Sequence, residues 1–472
     1  MPNKLLVVGV TVLLVSTIFG WFLLGPQSYD VIIAGAGAAG LSAAIEADNA
    51  GASVLVIEKM PAAGGNTRRA TGGMNAAGTD VQRRMGISDS PAALRQDTLK
   101  SGHRKNNASL VQILVDQADD AVDWLIDHGS DLEDVGYLAG HTRPRTHRPT
   151  GGAPVGLEIL TTLKNLLDRR GIELLLETEL QEVILTRQRV SGVRVRSKSG
   201  RVYRINARAV VIATGGFGGS PRVFVRYRHD LEGFNTTNHP GATGDYIAIA
   251  EAVGARLIDM EQIQTHPTVE PDHGILITEA LRGNGGILVD GMGRRFTDEL
   301  AFRDVLSAAI LEQRQGVAYL IFDDGVRRSL KAAEFYIGRR LVRRGEDPEE
   351  LAQLLNIDGP ILTETVAEYN QSILAGDPDE FARHEGRIAL DTPPYYGIKV
   401  SPGVHYCMGG LMIDPKARVL SEENSAPIPG LFAAGEATGG IHGWNRLGGN
   451  SMTDAVVFGR IAGREAALSS RR

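Results

Sequence analysis

The sequence predicts an α/β fold: a doubly wound parallel sheet, interrupted by an α+β insertion that covers it and preceded by an apolar helix. Three observations predict it. Asp30–Gly40 reads DVIIAGAGAAG, an apolar run broken by spaced glycines, and a helix-like stretch follows to Ala50, the order strand, turn, helix. Between Glu261 and Tyr406 that cycle stops and polar clusters replace it, and at Leu431–Glu436 (LFAAGE) it resumes. The chain therefore divides into 1–28, an N-terminal segment, one discontinuous domain made of 29–260 and 407–472, and an insertion at 261–406.

Leu5–Gly25 carries no charged residue, and at ~1.5 Å rise per residue such a stretch spans a hydrocarbon layer of about 30 Å. A cleavable signal is the competing reading, but no Ala-x-Ala-like site closes the run. An uncleaved single-pass anchor is expected. Lys4 before it and Asp30 after it place the rest of the chain outside the cytoplasm by the positive-inside rule.

In the first strand–turn–helix unit Gly35 permits a tight turn, Gly37 lets the backbone approach a pyrophosphate, and Gly40 lets the helix lie close on the strand. A second apolar run, Ser53–Ile57, ends in Glu58, eighteen residues after Gly40, where an acid meets a ribose hydroxyl. The helix start offers its unpaired N–H groups to phosphates. Beyond Glu58 lie Gly64-Gly65-Asn66-Thr67 and Gly72-Gly73-Met74-Asn75. Bare backbone of that kind suits the ribityl chain and flat rings of a flavin better than it suits NAD.

Pro91–His128 reads as two amphipathic helices, with Trp124 and His128 structural. Gly140–Gly152, GHTRPRTHRPTGG, reads either as a solvated loop or as a clamp on an anion or flavin. Ile172–Thr186 and Val190–Val195 are expected strands, and Ala209–Gly216 is a buried strand whose end, Thr214-Gly215, lies beside the cofactor. Gly241–Asp245 opens a further helix with Asp245 in its first turn. After Glu436, the stretch HGWNRLGGNSMTDAVVFGRIAG starts a helix near Asn450 and Ser451, placed to stabilise negative charge on a reduced ring.

A net charge of −6 with both signs spread along the chain gives no reason to expect nucleic acid. The single cysteine, Cys407, excludes an internal disulfide, a cysteine-ligated iron–sulfur cluster and a CxxCH haem attachment, and is itself read as packing. Electrons must therefore come from another molecule. No metal site is expected.

From Asp30 onward the sequence resembles the fumarate reductase and succinate dehydrogenase flavoprotein family, nearest the soluble flavocytochrome type without its haem domain. GGNTRRATGGMNAAGT, THPT, ITEALRGNGGILV, RRFTDE, FRDV, HYCMGG, AAGEATGG and HGWNRLGGNS follow that family's blocks in sequence. The resemblance implies a Rossmann-like FAD-binding domain and reduction of the C=C bond of fumarate or a related unsaturated dicarboxylate. It implies carboxylate binding by His266, Thr278, His405 and Arg446, proton donation by Arg303, and a relay through Glu279 and Arg282. It also implies flavin contacts at Gly35, Gly37, Ala39, Gly40, Glu58, Lys59, Gly65, Asn66, Thr67, Gly72, Gly73, Thr214, Gly215, Asp245, Tyr406, Glu436, Ser451 and Met452.

Arginine and histidine supply charge-assisted bonds to a dianion, and residues three apart on a helix share a face. Arginine is ordinarily a permanent cation, so Arg303 as an electrostatic clamp is the alternative to Arg303 as acid. The resemblance favours the acid. Arg68-Arg69-Ala70-Thr71 stands where the membrane-complex members carry a flavin-linked histidine, so the FAD is expected to be noncovalent. A separate electron donor is implied.

Overall fold

The structure is a computed structural model, and it describes residues 28–384 and 386–471. β1 (Ser28–Ala34), α1 (Ala38–Asn49) and β2 (Val54–Ile57) form the expected opening unit. β1 and β2 run parallel with Val31 opposite Val54. Val31, Ile32 and Ile33 are fully buried, as strands covered on both faces must be.

α2 (Val155–Arg169) returns the chain to β3 (Glu173–Leu175), parallel to β2. The hairpin of β4 (Thr178–Thr186) and β5 (Arg189–Ser197) then feeds β6 (Val202–Ile212), which lies on the other side of β1. The strand expected from Ile172 to Thr186 is thus two, broken where Glu177 adopts φ 51°, a left-handed conformation that ends strand pairing. Likewise Pro91–His128 holds three helices, Pro91–Ser101, Ala108–Asp116 and Ala118–Asp127. Asn107 accepts from the amides of Ser109 and Leu110 and so caps the second, and the third arises because the helical run continuing to Leu125 is broken at Gln117, with φ −113° and ψ 5°.

α3 (Asp245–Val253) begins after Gly244 at φ 74°. A second, antiparallel sheet comes next, made of β7 (Ile263–Glu270), β8 (Ile275–Leu276), β9 (Ile287–Val289), β10 (Ala318–Asp323), β11 (Arg343–Gly345) and β12 (Tyr395–Cys407). Its order is β8–β7–β12–β10–β9, with β11 also on β12. Two helices matter below: α4 (Ala280–Gly283) and α5 (Arg303–Leu311). This lobe has its own apolar core, distinct from that of the first sheet.

The two lobes share strands rather than a linker. β12 starts in the second core at Tyr395, Tyr396, Ile398 and Val400 and ends in the first at Val404 and Cys407. β13 (Arg418–Leu420) and β14 (Pro427–Ala433) then complete the first sheet, β14 parallel to β6. α6 (Asn450–Ser470) lies across α1. An added Cβ on Gly459 or Gly463 would come within 2.5 and 2.0 Å of the Ala39 and Ala43 carbonyl oxygens, so those glycines set the helix separation.

One expectation is corrected. The segment Leu5–Gly25 lies outside the described residues, and among the described residues no helix is long and apolar enough to cross a membrane. The longest, α6, carries Asp454, Arg460, Arg464 and Glu465. The transmembrane element is therefore removed from the fold, and the anchored, extracytoplasmic location inferred from it is withdrawn.

Candidate functional site

A cavity of about 680 Å³ runs between the lobes, within the usual range for a bound organic ligand. Every residue that the sequence assigned to substrate or cofactor lines it, except Gly40, and so do Arg303 and Glu279. Gly40 serves the packing instead: an added Cβ would sit 1.8 Å from the Gly35 carbonyl oxygen. Gly35 is similarly closed, 2.2 Å from the oxygen of Ala213, with φ +106°.

At one end the wall is bare backbone. A Cβ on Gly65 or Gly215, at φ +47° and +75°, would meet nothing within 4 Å. Thr214 Oγ1 is buried there without a partner, and the first turn of α1 presents N–H groups that no helical carbonyl takes up. Glu58 is fixed by accepting from the amides of Ala36 at 2.9 Å and Met60 at 2.8 Å, which leaves further lone pairs toward the cavity. Lys59 and Asp245 pair with each other at 2.6 Å. This donor set and open backbone fit the pyrophosphate, ribose and flat rings of FAD.

Glu436 is buried beside that end, its oxygens accepting from the Cys407 amide at 3.1 Å and Asn66 Nδ2 at 2.9 Å. Burial pushes its carboxyl up to about 7 against those two bonds. Cys407 itself is buried and free, and burial raises its thiol far above the ordinary range, consistent with packing.

At the other end, the N-terminus of α5 carries Arg303. Its Nε donates to Glu279 Oε2 at 3.0 Å and its Nη1 to Gln264 Oε1 at 3.0 Å. Glu279 Oε1 also accepts from the Ala139 amide at 2.6 Å. Arg282 does not reach the cavity. It lies behind Glu279 with Nη2 at 3.8 Å from Oε2, and burial lowers it to about 10. The side chains therefore form a chain, Arg303–Glu279–Arg282, that leads away from the cavity. Burial tends to raise the Glu279 carboxyl, but Arg303 and Arg282 together hold it below its ordinary value.

His266 on β7 and His405 on β12 meet edge to face, centroids 5.1 Å apart. Burial first, and then Arg303, push both far below the ordinary histidine value, so both are neutral. Thr237 Oγ1 lies 2.7 Å from His405 Nδ1; a hydroxyl donating there leaves Nε2–H for a ligand. Thr278 is held by its amide on the Tyr336 hydroxyl at 2.9 Å. Arg446 lies over the ring of Tyr406, and burial, with repulsion from Arg303, lowers it to about 9.

Gln264, Thr237 and Asp454 escaped the sequence reading. Gln264 stands two positions before His266 on the same strand, and its Nε2 also donates to the Arg446 carbonyl at 2.8 Å. The two-residue repeat of a strand was the available signal. Thr237 and Asp454 lie in no recognisable motif. In loop 140–152 Thr142, Arg143, Thr150 and Gly151 are exposed, whereas Arg145 is fully buried and paired with Asp89 at 3.0 Å and Asp97 at 2.9 Å, so that arginine faces neither solvent nor a ligand. His273 is exposed and lines the cavity.

A second buried ionic cluster lies close by. Arg295 and Arg383 hold Glu299 at 2.8 and 3.0 Å, and Arg295 also holds Asp379 at 2.9 Å. Arg295 is an interior residue, its guanidinium carbon 4.9 Å from the Tyr369 ring centre and 5.2 Å from that of Phe381.

Residues 30–452 match the family described as FAD binding domain. A Shewanella frigidimarina protein named fumarate reductase (cytochrome) is 46% identical over 94% of this chain and 78% of its own length. The NADH:fumarate oxidoreductase of Klebsiella pneumoniae is 44% identical over 94% of this chain, which spans about half, 48%, of that relative. The open conformation of a flavocytochrome c3 fumarate reductase superposes with a TM-score of 0.80 at 39% identity, covering 97% of this chain and 81% of that one. The chain belongs to the FAD binding domain family, among its fumarate reductase flavoproteins, and is an FAD-dependent oxidoreductase.

Proposed function

We infer that this chain reduces the C=C bond of fumarate, or of a closely related unsaturated dicarboxylate, using noncovalent FAD and electrons from a separate donor. One observation carries the reading: three buried guanidiniums, Arg282, Arg303 and Arg446, face a single ion-paired carboxylate, Glu279, in and behind the cavity that also holds the glycine cradle. Such an excess of positive charge is costly when the site is empty. A dianion offsets it.

Bound flavin supplies the hydride that adds to one alkene carbon. The chain's own residues do the rest. Arg446 grips one carboxylate by its edge donors, while His266, Thr278 and His405 hold the other, so the alkene is fixed and polarised by hydrogen bonds that strengthen as charge develops. Arg303, pinned at Nε and Nη1, keeps Nη2 for the second carbon and delivers a proton there. Glu279 returns a proton to Arg303 and is resupplied through Arg282. Closure of the lobes would exclude water and keep these charges strong.

Anaerobic turnover of a panel of unsaturated mono- and dicarboxylates with reduced viologen tests the reading. Fumarate is expected to be the best substrate. Reduction of a monocarboxylic enoate with none of any dicarboxylate would overturn the substrate assignment, and turnover only in the oxidising direction would overturn the reaction.

A further inference from the structure

We propose that Tyr406 is a positioning residue for Arg446: its ring, clamped by His442 and Asp454, supports the face of the guanidinium so that the edge donors remain available to a substrate carboxylate. The proposal rests on the reading of Arg446 as a carboxylate grip and deepens it.

Arg446 is 3% exposed, yet its guanidinium carbon lies 4.5 Å over the Tyr406 ring. Nη1 donates to the Leu447 carbonyl at 3.1 Å, and Nε is buried with no hydrogen-bond partner among the described residues. Unlike Arg303, Arg446 has no carboxylate within ion-pairing distance among the described residues. The difference has a physical consequence. A carboxylate neighbour would occupy the hydrogen-bonding edge of the guanidinium, whereas an aromatic ring stabilises the cation through its face and leaves the edge free.

The ring is itself held. Asp454 Oδ2 lies 3.2 Å from His442 Nε2 and 3.4 Å from the Tyr406 hydroxyl, and that hydroxyl is 3.3 Å from His442 Nε2. His442 meets the Tyr406 ring edge-on, with centroids 5.4 Å apart. Asp454 can only accept, so the phenol O–H and the imidazole Nε2–H both turn toward Oδ2. That sets the tautomer of His442 and leaves Nδ1 bare, in accord with its lack of any partner. Pulling the phenol proton toward a carboxylate enriches the ring and strengthens its hold on the cation. Asp454 belongs to α6 and His442 to the loop that carries Arg446, so the clamp ties that loop to a helix of the first lobe. Tyr406 and Arg446 line the cavity; His442 and Asp454 stand behind it.

The test uses the flavin-loaded protein as wild type, Tyr406→Leu, Tyr406→Phe and Asp454→Asn. It measures flavin content, the Kd of succinate from perturbation of the flavin spectrum, and kcat at saturating fumarate. Removing the ring is expected to weaken succinate binding about thirtyfold, the equivalent of ~2 kcal/mol for a desolvated cation–π contact. Tyr406→Phe and Asp454→Asn, which keep the ring, should lose about threefold, and Asp454→Asn, which lies behind the cavity, should keep kcat and flavin content near wild type. A leucine variant within threefold of wild type overturns the proposal, and so does a phenylalanine variant no better than leucine, or in Asp454→Asn a fall in kcat parallel to the loss of affinity. If the leucine variant loses its flavin, an unchanged Kd in both ring-keeping variants overturns the clamp. Failure of wild type to bind any dicarboxylate would instead sink the reading of Arg446 itself.

Discussion

Two buried ionic clusters lie side by side, and they differ in balance. In the Arg295–Glu299–Asp379–Arg383 cluster, two enclosed guanidiniums meet two carboxylates, with Arg387 reaching Asp379 at 3.8 Å from the less buried rim, and Glu299 and Arg383 are fully enclosed. Around Glu279, one carboxylate serves Arg303 and Arg282, and Arg446 has none within ion-pairing distance among the described residues. Arg282 touches both, its Nη1 donating to the Glu299 carbonyl and its own carbonyl accepting from Arg383 Nη2 at 2.6 Å. The lesson is that burial and pairing alone do not mark a functional site. A balanced cluster is finished as it stands, whereas an unbalanced one is completed by a ligand of opposite charge.

The contrast predicts opposite responses to loss of an arginine. Arg303→Ala should cut fumarate turnover by about 10³-fold or more, the scale of a lost acid and charge stabiliser. Flavin content should hold, and the urea midpoint should stay or rise, since a repelling cation is gone; a variant as active as wild type breaks the distinction. Arg383→Met should do the reverse, costing about 3–5 kcal/mol of stability, because Glu299 keeps only Arg295 as an ion-pair partner among the described residues and the carbonyls of Arg282, Gly286 and Gly386 lose a donor. Turnover per folded molecule should stay within about twofold, as read by urea titration and active-site counting. Glu279→Gln sharpens the comparison, with an expected fall of about 10²-fold in turnover and little change in stability, measured on the same preparations.

Buried groups that carry no charge set the smallest effect. His141 and His147 are each held at about 4 by burial. Folded they stay neutral, while in the unfolded chain they take up protons below about 6.5. Their contribution is therefore fully present above that pH and is lost as pH falls toward 4, at ~1.4 kcal/mol per pH unit for each. His147→Gln should reduce the slope of stability against pH between about 6.5 and 4 by ~1.4 kcal/mol per pH unit, and an unchanged slope would show that the ring titrates normally.

The cradle was legible because its constraints are local. Gly35, Gly37 and Glu58 are demanded by one turn and one strand end, and the sequence displays both. The residues that hold the reacting end were not, because they are fixed across the chain. Glu279 is oriented by the amide of Ala139, 140 positions away, and Tyr406 by Asp454, 48 positions away. The loop carrying Arg145 read equally as solvated or as a clamp, because the partners of that arginine, Asp89 and Asp97, lie outside the loop. Arg282 was assigned correctly to the face of Glu279 by helical spacing, but spacing could not say that it stands outside the cavity. The apolar run near the N-terminus illustrates the opposite hazard, since hydropathy alone put a membrane element into the fold and no described helix supplies one.

The close crossing of α1 and α6 at Gly459 and Gly463 has a kinetic consequence. The phosphate-facing helix cannot settle until a segment more than 400 positions downstream has docked against it, a contact separated by nearly the whole length of the described polypeptide. Closing so long a loop is slow, so acquisition of a nucleotide should be among the last events in maturation, after the second lobe has already formed its own core.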